Sequence, residues 1–457
     1  MAASTPCQFY QRRRTDLRPN FRVLSIYLAG VFVGALDMGI VSPAFPLIAR
    51  TFHITLAWMA WTVTTYTVTY VASTVLSGAA GDRYGRRLLF RSGVAAFGVA
   101  SLIAALSHSF AIFLLARAVQ GLGAGAVYPN AQAEGVRFFP PERRGLALGI
   151  FGAVFGVASM VGPVIGGVLA QYFGWPAIFL VNIPIAALVL LVSLRLPASE
   201  RTDRAAPDFL AGVVFAVFLA TVLLTLEVGG PLRWVLLLAA AATLALFIVR
   251  ERRPRGAPFL DPRAFSGVRG AALVLTSAVI GVDMSAAVFV PTLAQRVLGF
   301  STLGSGLSVL PAAFSGALLS GVGGVLTDRR GGRVVLQTGL AFALVGGVLL
   351  ALPGMTLWRF ILAMLAFGVG TAFTMGAPLN RLALALHSDA QAGEALASVA
   401  VFRSVGLAAG PVLLTLAMAF HGFEGMFLGV AALSLVGGVS VLLVPDSRTH
   451  ARPTGKA

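Results

Sequence analysis

Charge is scarce in this chain. Only 11% of its 457 residues are charged, and 34 Lys and Arg stand against 17 Asp and Glu. Soluble domains carry about 25% charged residues, so an ordinary water-exposed globular fold is excluded. Cysteine occurs once, at Cys7, which excludes an intrachain disulfide and a cysteine-based metal centre. The five histidines lie in loops or near helix ends, without metal-ligand spacing. There is no His-Glu-x-x-His, no phosphate-binding glycine loop, no paired nucleophile and base, and no sizeable soluble domain. Neither enzymatic chemistry nor a metal or cofactor is expected. Lysine is nearly missing too: Lys456 stands alone among arginines, a composition that hints at a GC-rich bacterial genome.

What is abundant is apolar sequence, 58% of residues, with a mean hydropathy of +0.89. It falls into blocks long enough for the ~20 residues that span a bilayer as helix. Fourteen such blocks centre within 24–47, 56–78, 88–107, 111–133, 145–170, 176–195, 208–227, 231–250, 269–290, 302–325, 334–352, 357–378, 392–418 and 425–444. The first is too long for a signal-peptide core and has no clear cleavage site, so it is expected to remain. The +17 net charge does not point to nucleic acid, because its placement is topological. Starting from a cytoplasmic N-terminus, nearly all Lys and Arg fall on the cytoplasmic side. The exceptions are Arg50, Arg233, Arg296 and Arg359 outside and Arg117 and Arg403 within helices. That asymmetry is the positive-inside pattern. It predicts both termini in the cytoplasm and an even number of spans, with anionic lipid attracted to the basic loops.

The chain also repeats itself. Displaced by 246 residues, Asp37-Met38 falls on Asp283-Met284, Arg50 on Arg296, Gly78 on Gly324, Asp82-Arg83 on Asp328-Arg329, Gly85 on Gly331 and Arg87 on Arg333. With a drift of one or two, Gly121-x-Gly123 meets Gly368-x-Gly370 and Gly162-Pro163 meets Gly410-Pro411. Two parallel six-helix repeats of this kind enclose a substrate path near the bilayer midplane. The expected division is a tail (1–22), a first half (23–197), a linker with two extra helices (198–256), a second half (257–446) and a tail (447–457). Gly229-Gly230-Pro231 would turn the extra hairpin.

Several motifs carry a family resemblance. Gly78-Ala-Ala-Gly-Asp82-Arg83-Tyr84-Gly85-Arg86-Arg87, and its counterpart ending Asp328-Arg329-Arg330-Gly331-Gly332-Arg333, resemble the signature loop of the major facilitator superfamily. Arg117-Ala-Val-Gln120-Gly121-Leu-Gly123 and Gly162-Pro163-Val-Ile-Gly166-Gly167 resemble motifs of the superfamily's exporters. Leu36-Asp37-Met38 through Pro46, Trp61 to Tyr66, and Gly174-Trp175 to Pro184 resemble the fourteen-helix drug:proton antiporters. The resemblance implies an all-α membrane protein of the major facilitator fold, two six-helix bundles plus an inserted hairpin. It also implies monomeric, proton-coupled efflux of amphipathic drugs across the inner membrane by alternating access. A dedicated exporter of one metabolite, lipid or sugar has the same architecture, and a membrane-embedded enzyme or receptor is the rival from another class. No acid lies mid-way along the thirteenth block, where Arg403 stands instead, which speaks against a specialised dication pump.

Depth suggests the central pair. At 1.5 Å per residue, Arg117 lies ~9 Å and Asp37 ~15 Å below the outer surface. A charge in hydrocarbon needs a partner or a water-filled cavity, so Asp37 with Arg117 is the expected proton-coupling pair. Asp283 is the second coupling candidate, with Arg403 as a possible partner. Glu134, Glu227 and Glu394 lie near helix ends, where hydration is easy. Asp82, Arg83, Gly85, Arg86, Asp328 and Arg329 are the expected cytoplasmic latch, and Gly162 and Pro163 the rocking interface. Met38, Tyr66, Tyr70, Tyr128, Asn130, Phe155, Met284, Phe373, Met375 and Asn380 are the expected pocket lining. Because the buried acids and arginines nearly cancel, cationic or neutral amphiphiles are expected rather than strong anions.

Overall fold

The computed structural model describes residues 21–139, 144–197, 208–228, 230–252, 267–375, 377–386 and 392–445. Cys7, the tails, the loop 140–143, Gly229 and most of both linker arms lie outside them. Every regular element among the described residues is helical. In chain order these are α1 (Phe21–Ile40), α2 (Phe45–Thr51), α3 (Leu56–Tyr84), α4 (Arg86–Ala105), α5 (Phe110–Arg137), α6 (Arg144–Phe173), α7 (Pro176–Leu180) and α8 (Asn182–Ser193). Then follow α9 (Phe209–Glu227) and α10 (Pro231–Arg252). The last group is α11 (Gly267–Ala286), α12 (Val290–Val297), α13 (Thr302–Leu307), α14 (Leu310–Arg330), α15 (Gly332–Ala351), α16 (Leu357–Thr374), α17 (Ala377–Ala385) and α18 (Ala392–Ser440).

Twelve stretches among the described residues are long and apolar enough to cross a membrane, rather than the expected fourteen. Two local causes account for the difference. α3 is 29 residues long, but Thr62, Thr64, Thr65, Thr67, Thr69 and Thr74 lower its hydropathy. The last two expected spans run together in α18, which is 49 residues long and leaves helical geometry at His421 and at Gly422 (φ 61°). The chain is a multi-pass membrane protein. On α10 the large apolar residues Trp234, Leu238 and Val249 point outward, as lipid-facing positions do, while backbone polar groups are satisfied within the helices.

Start signals are written locally. Thr55, Ser109, Asp208, Ser301 and Thr356 each accept a backbone N–H at the helix they open. Pro43 and Pro46 break α1 from α2 through a 3-10 turn at Ser42–Ala44, and the repeat shows the same break at Ala287–Phe289. Gly85 (φ 104°) and Gly331 (φ 93°) make the tight turns that follow α3 and α14, a conformation that a side chain resists.

The internal repeat reappears as matched contacts. A Cβ on Gly121 would lie 2.2 Å from the Tyr66 carbonyl oxygen and 2.1 Å from the Thr69 hydroxyl. On Gly368 it would lie 2.0 Å from both the Ala312 carbonyl and the Ser315 hydroxyl, the residues 246 further along. Arg87 donates to the Leu196 carbonyl at 2.5 Å, and its mate Arg333 to the carbonyls of Val441 and Leu442. Small residues let these backbones touch, which is how helices associate where water supplies no driving force.

Contacts between the two halves concentrate away from the face that carries Phe21 and Pro445. Near the opposite face, α6 packs on α13: a Cβ on Gly306 would lie 2.3 Å from the Pro163 carbonyl, and one on Gly167 3.0 Å from that of Thr302. Phe45 and Phe289 meet edge to face at 6.2 Å, and Gln295 donates to the Pro43 carbonyl at 2.8 Å. α3 and α18 also meet, where Thr64 donates to the Ala408 carbonyl at 3.0 Å. Towards the terminal face, Gly152 and Gly156 of α6 and Gly321 and Gly324 of α14 have nothing within 4 Å of where a Cβ would sit.

Candidate functional site

α1 and α5 cross so that Asp37 and Arg117 meet. Arg117 Nη1 lies 2.5 Å from Asp37 Oδ2, and the two residues are 2% and 0% exposed. The arginine is held from several sides. Its Nη1 also donates to Gln120 Oε1 at 2.8 Å, its Nε to the Thr62 carbonyl at 3.3 Å, and its guanidinium lies 4.4 Å from the centre of the Tyr66 ring. Asn182 Nδ2, at the start of α8, donates to Asp37 Oδ1 at 3.2 Å. Gln120 Nε2 donates in turn to Ser101 Oγ at 2.8 Å, and the Tyr66 hydroxyl donates to the Gly34 carbonyl at 3.2 Å. The result is a polar chain, Ser101–Gln120–Arg117–Asp37–Asn182, running through α4, α5, α1 and α8. Of a partner and a water-filled cavity, the structure supplies the partner, and Asp37 is sealed from solvent.

Asp37 and Arg117 are thus brought together as their depths suggest. Asn182, Ser101 and Thr62 were not singled out as site residues. The signal available for Asn182 was its position within the quoted Gly174–Pro184 motif. A buried pair of this kind offsets its desolvation only while both charges remain; losing one partner costs about 3–5 kcal/mol. Chemically, neutralising Asp37 would leave a guanidinium sealed from water without its counter-charge.

Asp283 and Arg403 do not pair. The Asp283 Oδ2 accepts from Ser434 Oγ at 2.9 Å, and its Oδ1 is buried with no hydrogen-bond partner. The reason is rotational. Gly281 packs on the Arg403 backbone, where a Cβ would lie 1.9 Å from the carbonyl oxygen. Asp283, two residues on, is turned by about 200° at 100° per residue. α11 is therefore sandwiched. Ala278, Gly281 and Ser285 face the first segment of α18, while Thr276, Val279 and Asp283 face Ser440, Gly437 and Ser434 of the second. Arg117 has no counterpart in the second half. The 247-residue displacement that carries Gly121 to Gly368 places Met364 there, 1% exposed.

The remaining candidates divide. Met38 and Tyr70 pack with Tyr66 in one apolar cluster, the Tyr66 and Tyr70 rings stack at 6.2 Å, and Tyr128 meets Phe155 edge to face at 5.6 Å. Asn130 is not pocket lining. Buried at 1% exposure, it clamps α5 to α3 by donating to the Ser77 carbonyl at 3.1 Å. Phe373 packs in the α14–α15–α16 contact against Gly323 and Gly339. Met284 borders the core of the second half. Met375 ends α16 and Asn380 lies in α17, both half-buried, and no described contact joins them to Tyr128 or Phe155. Gly162 and Pro163 press on α1, with a Gly162 Cβ 2.7 Å from the Leu36 carbonyl. Glu134 is not hydrated as expected. It is 1% exposed and paired with Arg137 at 3.2 Å, because Gly135 seats the helix end against Phe151 and Leu24. The side chains of Glu227 and Glu394 lie outside the described residues.

At the terminal face, Asp82 pairs with Arg86 at 2.6 Å across the Gly85 turn, and Arg83 lies 5.8 Å from the centre of the Tyr84 ring. Asp328 pairs with Arg381 of α17 at 2.9 Å, a partner the sequence reading missed, and Arg329 is exposed. Both ion pairs stay within one half. At the opposite face a cleft of about 590 Å³ is lined by Arg50, His53, Gln295 and Arg296.

Residues 27–411 match the family model described as Major Facilitator Superfamily. The chain belongs to that superfamily. It is a membrane transporter, not an enzyme. Over 415 residues it is 32% identical to the uncharacterized MFS-type transporter YfiU of Bacillus subtilis, covering 87% of this chain and 80% of YfiU. It is 30% identical to the multidrug resistance protein Stp of Mycobacterium tuberculosis (82% and 72% covered) and 27% identical to the riboflavin transporter RibZ of Clostridioides difficile (86% and 87%). In fold it is similar to a peptide transporter POT crystal structure, with a TM-score of 0.69 at 16% identity, covering 92% of this chain and 93% of that one.

Proposed function

We propose that this transporter exports amphipathic drugs or dyes across the inner membrane in exchange for protons, as a monomer with both termini cytoplasmic. The observation that carries the reading is the sealed Asp37–Arg117 pair. A proton arriving at Asp37 cancels the carboxylate and strands Arg117, so protonation and conformation are coupled through the cost of an unpaired buried charge. Asp283, with one carboxylate oxygen unpartnered, is the second group able to take up a proton. In this reading there are fourteen spans, counting α3 and dividing α18 at His421–Gly422. α9 and α10 form a hairpin (within 198–256) between six-helix halves at 23–197 and 257–446. In this reading the α6–α13 contact closes the outer face, and the uncontacted glycines of α6 and α14 lie towards the cytoplasmic one. In the alternate state the Asp82 and Asp328 loops exchange partners across the halves and latch the cytoplasmic side, while α6 rocks at Gly162-Pro163. The multidrug relative supports a broad substrate range. The riboflavin transporter supports the second reading, export of one dedicated metabolite.

Proteoliposomes loaded with dye and given an imposed proton gradient test the reading. Dye should move against its own gradient and stop when a protonophore is added. Unchanged movement after the gradient is collapsed would refute proton coupling, and transport of a single metabolite among many compounds would favour the second reading.

A further inference from the structure

The mid-span charges do not cancel in place. Asp37 is committed to Arg117, and Asp283 faces Ser434 on the far side of α11. Arg403 is left on α18 with no acid paired to it among the described residues; Tyr70 of α3, in the other half, packs in one cluster with Val401 and Val405, two residues to either side of it, and the phenols of Tyr128 and Tyr70 act electrostatically on its guanidinium. It stands 11 residues from the start of α18 and 18 from the break at His421, about 16 and 27 Å at 1.5 Å per residue. Neither end is within easy reach of a snorkelling side chain. An unpaired arginine at that depth marks a substrate path. Its surroundings are aromatic: Tyr70 stacks on Tyr66, and Tyr128 meets Phe155.

A second, separate observation has the same sign. The outer cleft places Arg50 and Arg296, mates in the internal repeat, around one opening with His53 and Gln295, and no acid lines it. An anion leaving the midplane would meet positive charge at the exit, and a cation would be repelled there.

We propose that Arg403, with Tyr70 and Tyr128 facing it from the other half, is a binding subsite for the anionic group of an aromatic substrate, such as a carboxylate or phenolate, which leaves through the Arg50–Arg296 cleft. This rests on the export reading and reverses the expectation of cationic substrates. The guanidinium supplies charge-assisted, bidentate hydrogen bonds that a planar carboxylate matches. The phenol rings supply flat apolar contact, and their hydroxyls supply donors. The subsite joins residues of both halves, so an occupant would bridge the surfaces that alternating access must move.

The test is binding to the purified full-length protein, which needs no transport. Fluorescein, an anionic aromatic dye, and ethidium, a cationic one, are titrated while anisotropy is read, against the parent, Arg403→Met and Arg403→Lys. The parent should bind fluorescein more tightly than ethidium. Arg403→Met should weaken fluorescein binding at least about tenfold, the loss expected for one charge-assisted hydrogen bond, and leave ethidium unchanged. Arg403→Lys should keep most of the affinity, and that separates lost charge from lost fold. Absence of fluorescein binding by the parent, equal binding by Arg403→Met, or equal loss of both dyes in that variant would overturn the proposal. Fluorescein bound through Arg403 by a protein that moves no dye in vesicles would refute the drug-efflux reading and leave the subsite standing.

Discussion

Removing one charge of the Asp37–Arg117 pair should destabilise the protein far more than removing both. In Asp37→Asn the amide can still accept from Asn182, and the volume is unchanged, so the loss is electrostatic. Arg117 remains 2% exposed, held by Gln120, the Thr62 carbonyl and the Tyr66 ring, with no counter-charge. The cost for such a half-broken buried pair is about 3–5 kcal/mol. Arg117→Met leaves the carboxylate stranded and should cost about as much. In the double variant both charges are gone, and removing the pair together costs far less than stranding either charge. The second half already shows a buried Met364 at the position corresponding to Arg117. Unfolding of the four proteins in mixed micelles with rising SDS completes the cycle, and a coupling energy of about 3 kcal/mol or more is expected. Additive losses, with the double variant the least stable of all, would refute the account of this pair.

Other outcomes follow from the same geometry. Gly166→Ala puts a Cβ 1.9 Å from the Ile40 carbonyl and should cost about 1–3 kcal/mol or more as overpacking, whereas Gly152→Ala, with nothing within 4 Å, should be tolerated; thermal unfolding of both in detergent distinguishes them. Asp283→Asn removes a carboxylate with one orphaned oxygen, so stability in the same assay should hold or rise while gradient-driven efflux falls. Arg381→Ala breaks the pair with Asp328, which is 82% exposed, and should cost under about 1 kcal/mol, whatever it does to the transport rate.

Depth was legible in the sequence, and rotation was not. Counting residues from helix ends placed Asp37 and Arg117 at similar levels, and the repeat register anticipated paired contacts at Gly121 with Gly368 and Arg87 with Arg333. Whether two side chains at one level face each other depends on which face of a helix meets which neighbour. That is why Asp283 and Arg403, level in depth, lie on opposite sides of α11. It is also why Asn130 and Phe373 are packing residues rather than lining. Polar partners such as Asn182 and Ser101 carry no charge to betray them in an apolar block. Against fourteen expected spans, the described residues hold twelve stretches long and apolar enough to cross a membrane, because threonines lower the hydropathy of α3 and the last two blocks run together in α18.

Dye efflux from proteoliposomes under an imposed proton gradient, parent against Asp37→Asn, tests the central claim most directly. The account predicts that the variant still binds dye but no longer moves it in response to the gradient. Equal gradient-driven efflux in both proteins would contradict it and remove Asp37 from the coupling mechanism.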